Sequence, residues 1–147
     1  MTTPPFQSIR SIIEDKFSAY LASNMPGVSV HKGITNEVRT LPQVIIYAEN
    51  SQAPSALGSH NNGNYTVSIK AYVYSSADDD TLDTHRNRVQ TLKNLMCDRA
   101  TVQALWTSPS QGMLYDIWIT NDEEGMSQRR YGNAVDFTCF AMLPPSP

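Results

Sequence analysis

The segment from Gly63 to Leu95 constrains this chain more than any other, because the spacing of its apolar residues changes period within it. Tyr65, Val67, Ile69, Ala71 and Val73 alternate with Thr66, Ser68, Lys70, Tyr72 and Tyr74, the two-residue repeat of a half-buried strand. Beyond Ser75-Ser76-Ala77-Asp78-Asp79-Asp80 the apolar positions become Leu82, Val89, Leu92 and Met96, with Leu95 beside them, which is helical spacing. Arg86, Arg88, Lys93 and Asn94 turn largely away from that stripe. A strand that feeds an amphipathic helix buries both apolar faces by laying the helix across the sheet. Nothing reactive is embedded in this joint.

The flanking segments supply the remaining elements. Phe6, Ile9, Ile13, Phe17, Tyr20 and Leu21 follow Pro4-Pro5 at 3.6-residue spacing, predicting a helix over about Phe6 to Ala22 that ends at Asn24 and Met25-Pro26-Gly27. Val28 to Lys32 reads as a short strand. Gln43 to Ala48 is apolar on both parities, as in a strand covered on both faces. Glu49 to Gly63 holds one large apolar residue, Leu57, and is expected to be a long mobile loop. A short helical piece at about Ala100 to Trp106 precedes a hairpin with arms Met113 to Thr120 and Arg129 to Leu143, turning through Asn121 to Met126. In its first arm Tyr115, Ile117 and Ile119 share one face and Asp116 and Trp118 the other. The fold class is α+β. One domain over 1–147 should carry a mainly antiparallel, mixed sheet of about four to five strands, with two main helices on one face. Pro144 to Pro147 is expected to be a flexible tail.

Composition narrows function by exclusion. A chain of 147 residues buries about 68–70% of its unfolded surface, enough for a core without staples. Charged residues are 17% of the chain, against about 25% in ordinary soluble domains, so the surface should be polar but weakly charged. The net charge of −3 offers no field for nonspecific nucleic-acid binding. Cys97 and Cys139 are too few and too distant for a disulfide framework or a metal knuckle, and read as buried free thiols. The first five residues lack the basic start of a secretory signal, and no apolar run approaches the ~18 residues of a membrane span. Synthesis and use in the cytoplasm are expected.

No catalytic, cofactor or metal residue stands out. His31, His60 and His85 include no pair at the helical spacing of two ligands. His85 and Cys97 lie twelve residues apart on one helix, about 18 Å, too far for a nucleophile and its base. Asp78, Asp79 and Asp80 could hold a cation such as Mg²⁺, but acidic residues in the cap and first turn of a helix explain them without one. No nucleophile elbow, phosphate loop or dinucleotide fingerprint is present. Arg129-Arg130, facing Asp122-Glu123-Glu124 across the expected turn, read equally as an internal ion pair or a partner-facing patch.

The succession of elements resembles the tail terminator, tail completion or minor tail proteins of the lambda U type from long-tailed bacteriophages. The likeness rests on the opening helix to Leu21, the strands LPQVIIYAEN and GNYTVSIKAYVYSS, the polar loop between them, the helix to Arg99 and the hairpin ending in VDFTCFAML. It spans nearly the whole chain and is one of segment order, with no invariant motif. It implies a non-enzymatic virion protein, assembled in the host cytoplasm, that forms a ring, a hexamer, on the finished tail tube. Its partners would be copies of itself, the tail tube protein and the head connector. Other neck, connector or tube subunits share this plainness. A rival reading is a small α+β enzyme or ligand-binding domain with a cavity between helix and sheet lined by Tyr47, Tyr72, Trp118 and Phe140, served by His31, Asp116 and Asp136. On the resemblance, partner contacts fall on the two connections: Glu49, Asn50, Leu57, His60 and Asn62 in one, and Asp122, Glu123, Glu124, Arg129 and Arg130 in the other.

Overall fold

A computed structural model describes residues 8–33, 40–52, 64–107 and 112–142. In chain order its elements are α1 (Ile9–Asn24), β1 (Ser29–Lys32), β2 (Gln43–Gln52), β3 (Asn64–Ser76), α2 (Leu82–Met96), α3 (Arg99–Gln103), β4 (Met113–Ser127) and β5 (Arg130–Met142). The strands form one sheet in the order β1-β2-β3-β5-β4. β1 runs parallel to β2, and every other neighbouring pair is antiparallel. The α+β reading holds, mixed sheet included.

Each helix starts on a side-chain oxygen. The Ser8 and Thr81 hydroxyls accept from the N–H groups of Ser11 and Thr84, and the Asp98 carboxylate accepts from Thr101. Asp78, Asp79 and Asp80 therefore precede the cap of α2 rather than forming it; Asp80 instead meets Arg88 at 3.3 Å. All three helices cover the same sheet face. Ile13, Phe17 and Leu21 of α1, Val89, Leu92 and Met96 of α2 and Val102 of α3 are buried against Val44, Ile46, Ile69, Val73 and Phe137. Each fully buried large side chain contributes about 1.5–3 kcal/mol. The Tyr20 hydroxyl donates to the Leu95 carbonyl at 2.9 Å and ties α1 to the end of α2.

Several boundaries differ from the sequence reading for identifiable reasons. β2 runs through Glu49 and Asn50 to Gln52, past the apolar run, because a register shift after Ala48 is absorbed by α1. Arg10 donates to the Ala48 carbonyl at 2.7 Å, and the Glu14 carboxylate accepts from the Ala48 N–H at 2.9 Å. The hairpin turn is displaced. β4 continues to Ser127, so Asn121 to Met126 is strand paired with Tyr131 to Asp136, and the chain reverses at Gln128-Arg129. Those two residues have φ of 51° and 60°, the backbone that a two-residue hairpin loop requires. Extra residues at Tyr115 and Thr120 break the alternation of β4, leaving Leu114 and Ile117 buried and Tyr115 and Ile119 exposed. Cys139 is buried as expected, whereas Cys97 is exposed at the end of α2.

Candidate functional site

Among the described residues no helix lies on the opposite sheet face, although Gln43 and Ile45 of β2 on that face are buried, as the two-sided apolar run of β2 predicts. Strand alternation places Tyr47, Lys70, Tyr72, Tyr74, Asp136, Phe140 and Trp118 on that open face. This corrects the rival reading: Tyr47, Tyr72, Trp118 and Phe140 line no cavity between helix and sheet. At one end Trp118 and Phe140 meet edge to face at 5.0 Å, 37% and 43% exposed. At mid-sheet Lys70 lies 3.6 Å from Asp136 and 3.8 Å from Glu49. Burial works to lower the Lys70 pKa, but the two carboxylates outweigh it and hold it above the usual value. At the other end Tyr72 and Tyr74 stack at 6.3 Å with Arg130 over the Tyr74 ring at 5.6 Å. A Cβ on Gly132 would stand 3.2 Å from that ring, so the missing side chain lets Tyr74 lie on the neighbouring strand. Tyr72, Tyr74, Gly125, Met126 and Arg130 border a shallow groove of about 370 Å³ there.

On the helix face, the far end of the hairpin is tied to α2 mainly by polar groups, with the Tyr131 ring 5.6 Å from that of His85. Burial lowers the His85 pKa, against a smaller upward pull from its bond to Asn133, which leaves the ring neutral. The Asn133 amide nitrogen donates to Asp122 at 2.8 Å, so its oxygen faces the ring and accepts from His85 Nε2 at 2.7 Å. His85 Nδ1 then accepts from the Ser75 hydroxyl at 2.7 Å, and Ser75 Oγ accepts from Arg88 at 2.5 Å. Lys93 closes the chain on Asp122 at 2.5 Å. Burial would raise the Asp122 carboxyl, but the bonds from Lys93 and Asn133 hold it below its ordinary value. Beside it Arg86 grips Glu124 through two bonds of 2.9 and 2.8 Å and holds that carboxyl down too. Ser75, His85 and Asn133 are buried. A Ser–His contact sealed from solvent is a strut, since no substrate reaches the hydroxyl.

The expected partner residues are thus redistributed. Glu49 and Asn50 lie in β2; Leu57, His60 and Asn62 lie outside the described residues. Asp122, Glu123 and Glu124 are strand residues: the first and third reach α2, and Glu123 alternates onto the open face. Arg129 and Arg130 do not pair with them. The Arg129 carbonyl accepts from Ala77 N–H at 2.8 Å, and Arg130 lies over Tyr74. Sequence reasoning missed Ser75, Arg86, Lys93 and Asn133, whose partners are 10 to 48 residues away. Among the described residues no group of three or more His, Cys, Asp or Glu side chains is placed to hold a metal ion.

A chain from the virion of a native gene transfer agent particle superposes with a TM-score of 0.50 at 10% identity, covering 86% of this chain and 84% of that one. The two share a fold. A second solved chain, at 12% identity and covering 92% of this chain and 94% of its own, reaches a TM-score of 0.48, too low to carry an argument. No family model and no curated protein matches the sequence. The likeness is therefore carried by the arrangement of helices and strands and not by conspicuous residues.

Proposed function

We propose that this chain is a non-enzymatic virion protein of a long-tailed phage-like particle, closing the tail tube as a ring of six subunits and forming the joint to the head connector. The observation that carries the reading is the fold shared with a chain of the gene transfer agent virion over 86% of the length. The molecule suits such a role. Its uncovered sheet face carries aromatic pairs at both ends, and large exposed apolar side chains are a recurrent mark of protein contact surfaces. Its partners are further copies of itself, the tail tube protein and the connector, and it works in the virion after assembly in the host cytoplasm. No cofactor enters this reading.

Deleting the gene should give tails of uncontrolled length without heads, and expression in trans should restore uniform, infectious particles by electron microscopy and plaque count. Tails of normal length and normal head attachment without the gene would remove the capping role. The double substitution Arg129→Glu and Arg130→Glu should lower stability only slightly, since Arg129 is exposed and half-buried Arg130 loses its place over the Tyr74 ring, a contact contributing about 0.5–1 kcal/mol. It should nevertheless reduce complementation, because Arg129 is exposed at the turn and Arg130 borders the groove on the open face. Full infectivity from that variant would place the working contacts elsewhere on the surface.

A further inference from the structure

The sheet has two free edges, β1 and β4, whose outward backbone N–H and C=O groups pair with no other strand among the described residues. The pairing registers run in straight rows from one edge to the other. The row of Lys32 passes through Ile46, Ala71 and Val135 to Asp122. That of His31 ends on Glu123, and that of Ser29 ends on Gly125. The four residues of β1 therefore stand level with Asp122 to Gly125 on the opposite edge. β1 also runs antiparallel to β4, so a second copy set beside the first needs no reversal to bring its β1 against that β4.

The two edges match in face and charge as well as in height. Strand alternation puts His31 and Glu123 on the open face, and Lys32 and Asp122 on the helix face. β1 carries His31 and Lys32 and no acid, with Lys32 also meeting Asp15 of α1, whereas the level stretch of β4 carries Asp122 and Glu124, which reach Lys93 and Arg86 of α2, and Glu123 on the open face. Pairing that stretch with the same stretch of another β4 would oppose acid to acid, which is destabilising across strands. The geometry points to a head-to-tail interface in which β1 of one copy adds antiparallel to β4 of the next over Asp122 to Gly125, extending the sheet from subunit to subunit. Contacts of this heterologous kind close into rings when the rotation per subunit allows. The inference rests on the ring reading above and names the surfaces that make the ring.

Cysteine pairs read the rows directly, because opposed antiparallel residues lie about 4.5–5.5 Å apart between Cα atoms, within the ~4.4–6.8 Å of a disulfide. In a Cys97→Ser background, the variants His31→Cys/Glu123→Cys and Ser29→Cys/Gly125→Cys are oxidised with copper phenanthroline. Both pairs avoid the core, and Gly125 has open space where a Cβ would stand. Each should give a ladder of covalent oligomers ending at one closed species, while the off-row pair Ser29→Cys/Tyr115→Cys stays monomeric on a denaturing gel. Rings seen by light scattering without on-row cross-links, or with equal off-row ones, would overturn the edge pairing and leave the ring reading standing. A monomer by scattering in concentrated solution, with no cross-link, would overturn both.

Discussion

Replacing His85 with leucine should lower the free energy of unfolding by about 2–5 kcal/mol in urea titration, because a buried donor and a buried acceptor lose their partner together. Ser75 would keep a hydroxyl proton with no acceptor, and the Asn133 oxygen would face an apolar side chain. Against a total stability of about 5–15 kcal/mol, that is a large fraction. The pH dependence follows from the same ring. His85 has a folded pKa below its unfolded value of about 6.5, so the unfolded chain takes up the proton first as the pH falls. The stability it contributes is present above about pH 6.5 and is lost as the pH falls through the lowered folded value. Asp122 and Glu124, also held low, add a second loss as the pH falls below about 4 through their folded values. The leucine variant should lack the first loss and keep the second; identical pH profiles for the two proteins would show that His85 does not titrate in this way.

Phe17→Ala should be about as damaging by a different route. Phe17 is fully buried where α1 crosses the sheet, and its ring meets Trp106 edge to face at 6.1 Å. Truncation leaves a cavity and removes that contact, a cost of about 3–5 kcal/mol. At about 2–4 °C per kcal/mol for a chain of this size, the melting temperature should fall by about 6–20 °C. The exposed pair gives the contrast: Trp118→Ala should cost the isolated subunit much less, because Trp118 keeps 37% of its surface in water. Calorimetry on both variants checks the pair, and equal losses would mean that the open face is not open.

What the sequence made legible was periodicity. The alternation of β3, the helical spacing of α1 and α2 and the apolar run of β2 each declare themselves within a dozen residues, and together they specify an α+β sheet with helices on one side. What stayed hidden is whatever depends on residues far apart. Asn121 to Met126 reads as a turn because it is polar and holds a glycine, yet Gly125 is a strand residue opposite Gly132, and the acids beside it answer to Arg86 and Lys93 of α2. The true turn, Gln128-Arg129, has neither the asparagine nor the glycine that usually marks such a loop. His85 looked like one more polar helix residue, because Ser75 lies 10 positions before it and Asn133 48 positions after it. The open face was legible as a polar strand parity.

The turn at Gln128 and Arg129 separates two things that usually travel together. Left-handed backbone costs an ordinary residue about 1–2 kcal/mol, and both loop positions adopt it without being glycine. Rewriting them as Asn-Gly should therefore tighten the hairpin and raise the melting point of the free subunit, while erasing the long side chains that the tip displays. A chain carrying that rewrite would be sturdier with a blanker end, and whether its function survives would tell whether the tip is selected for holding its own shape or for being touched.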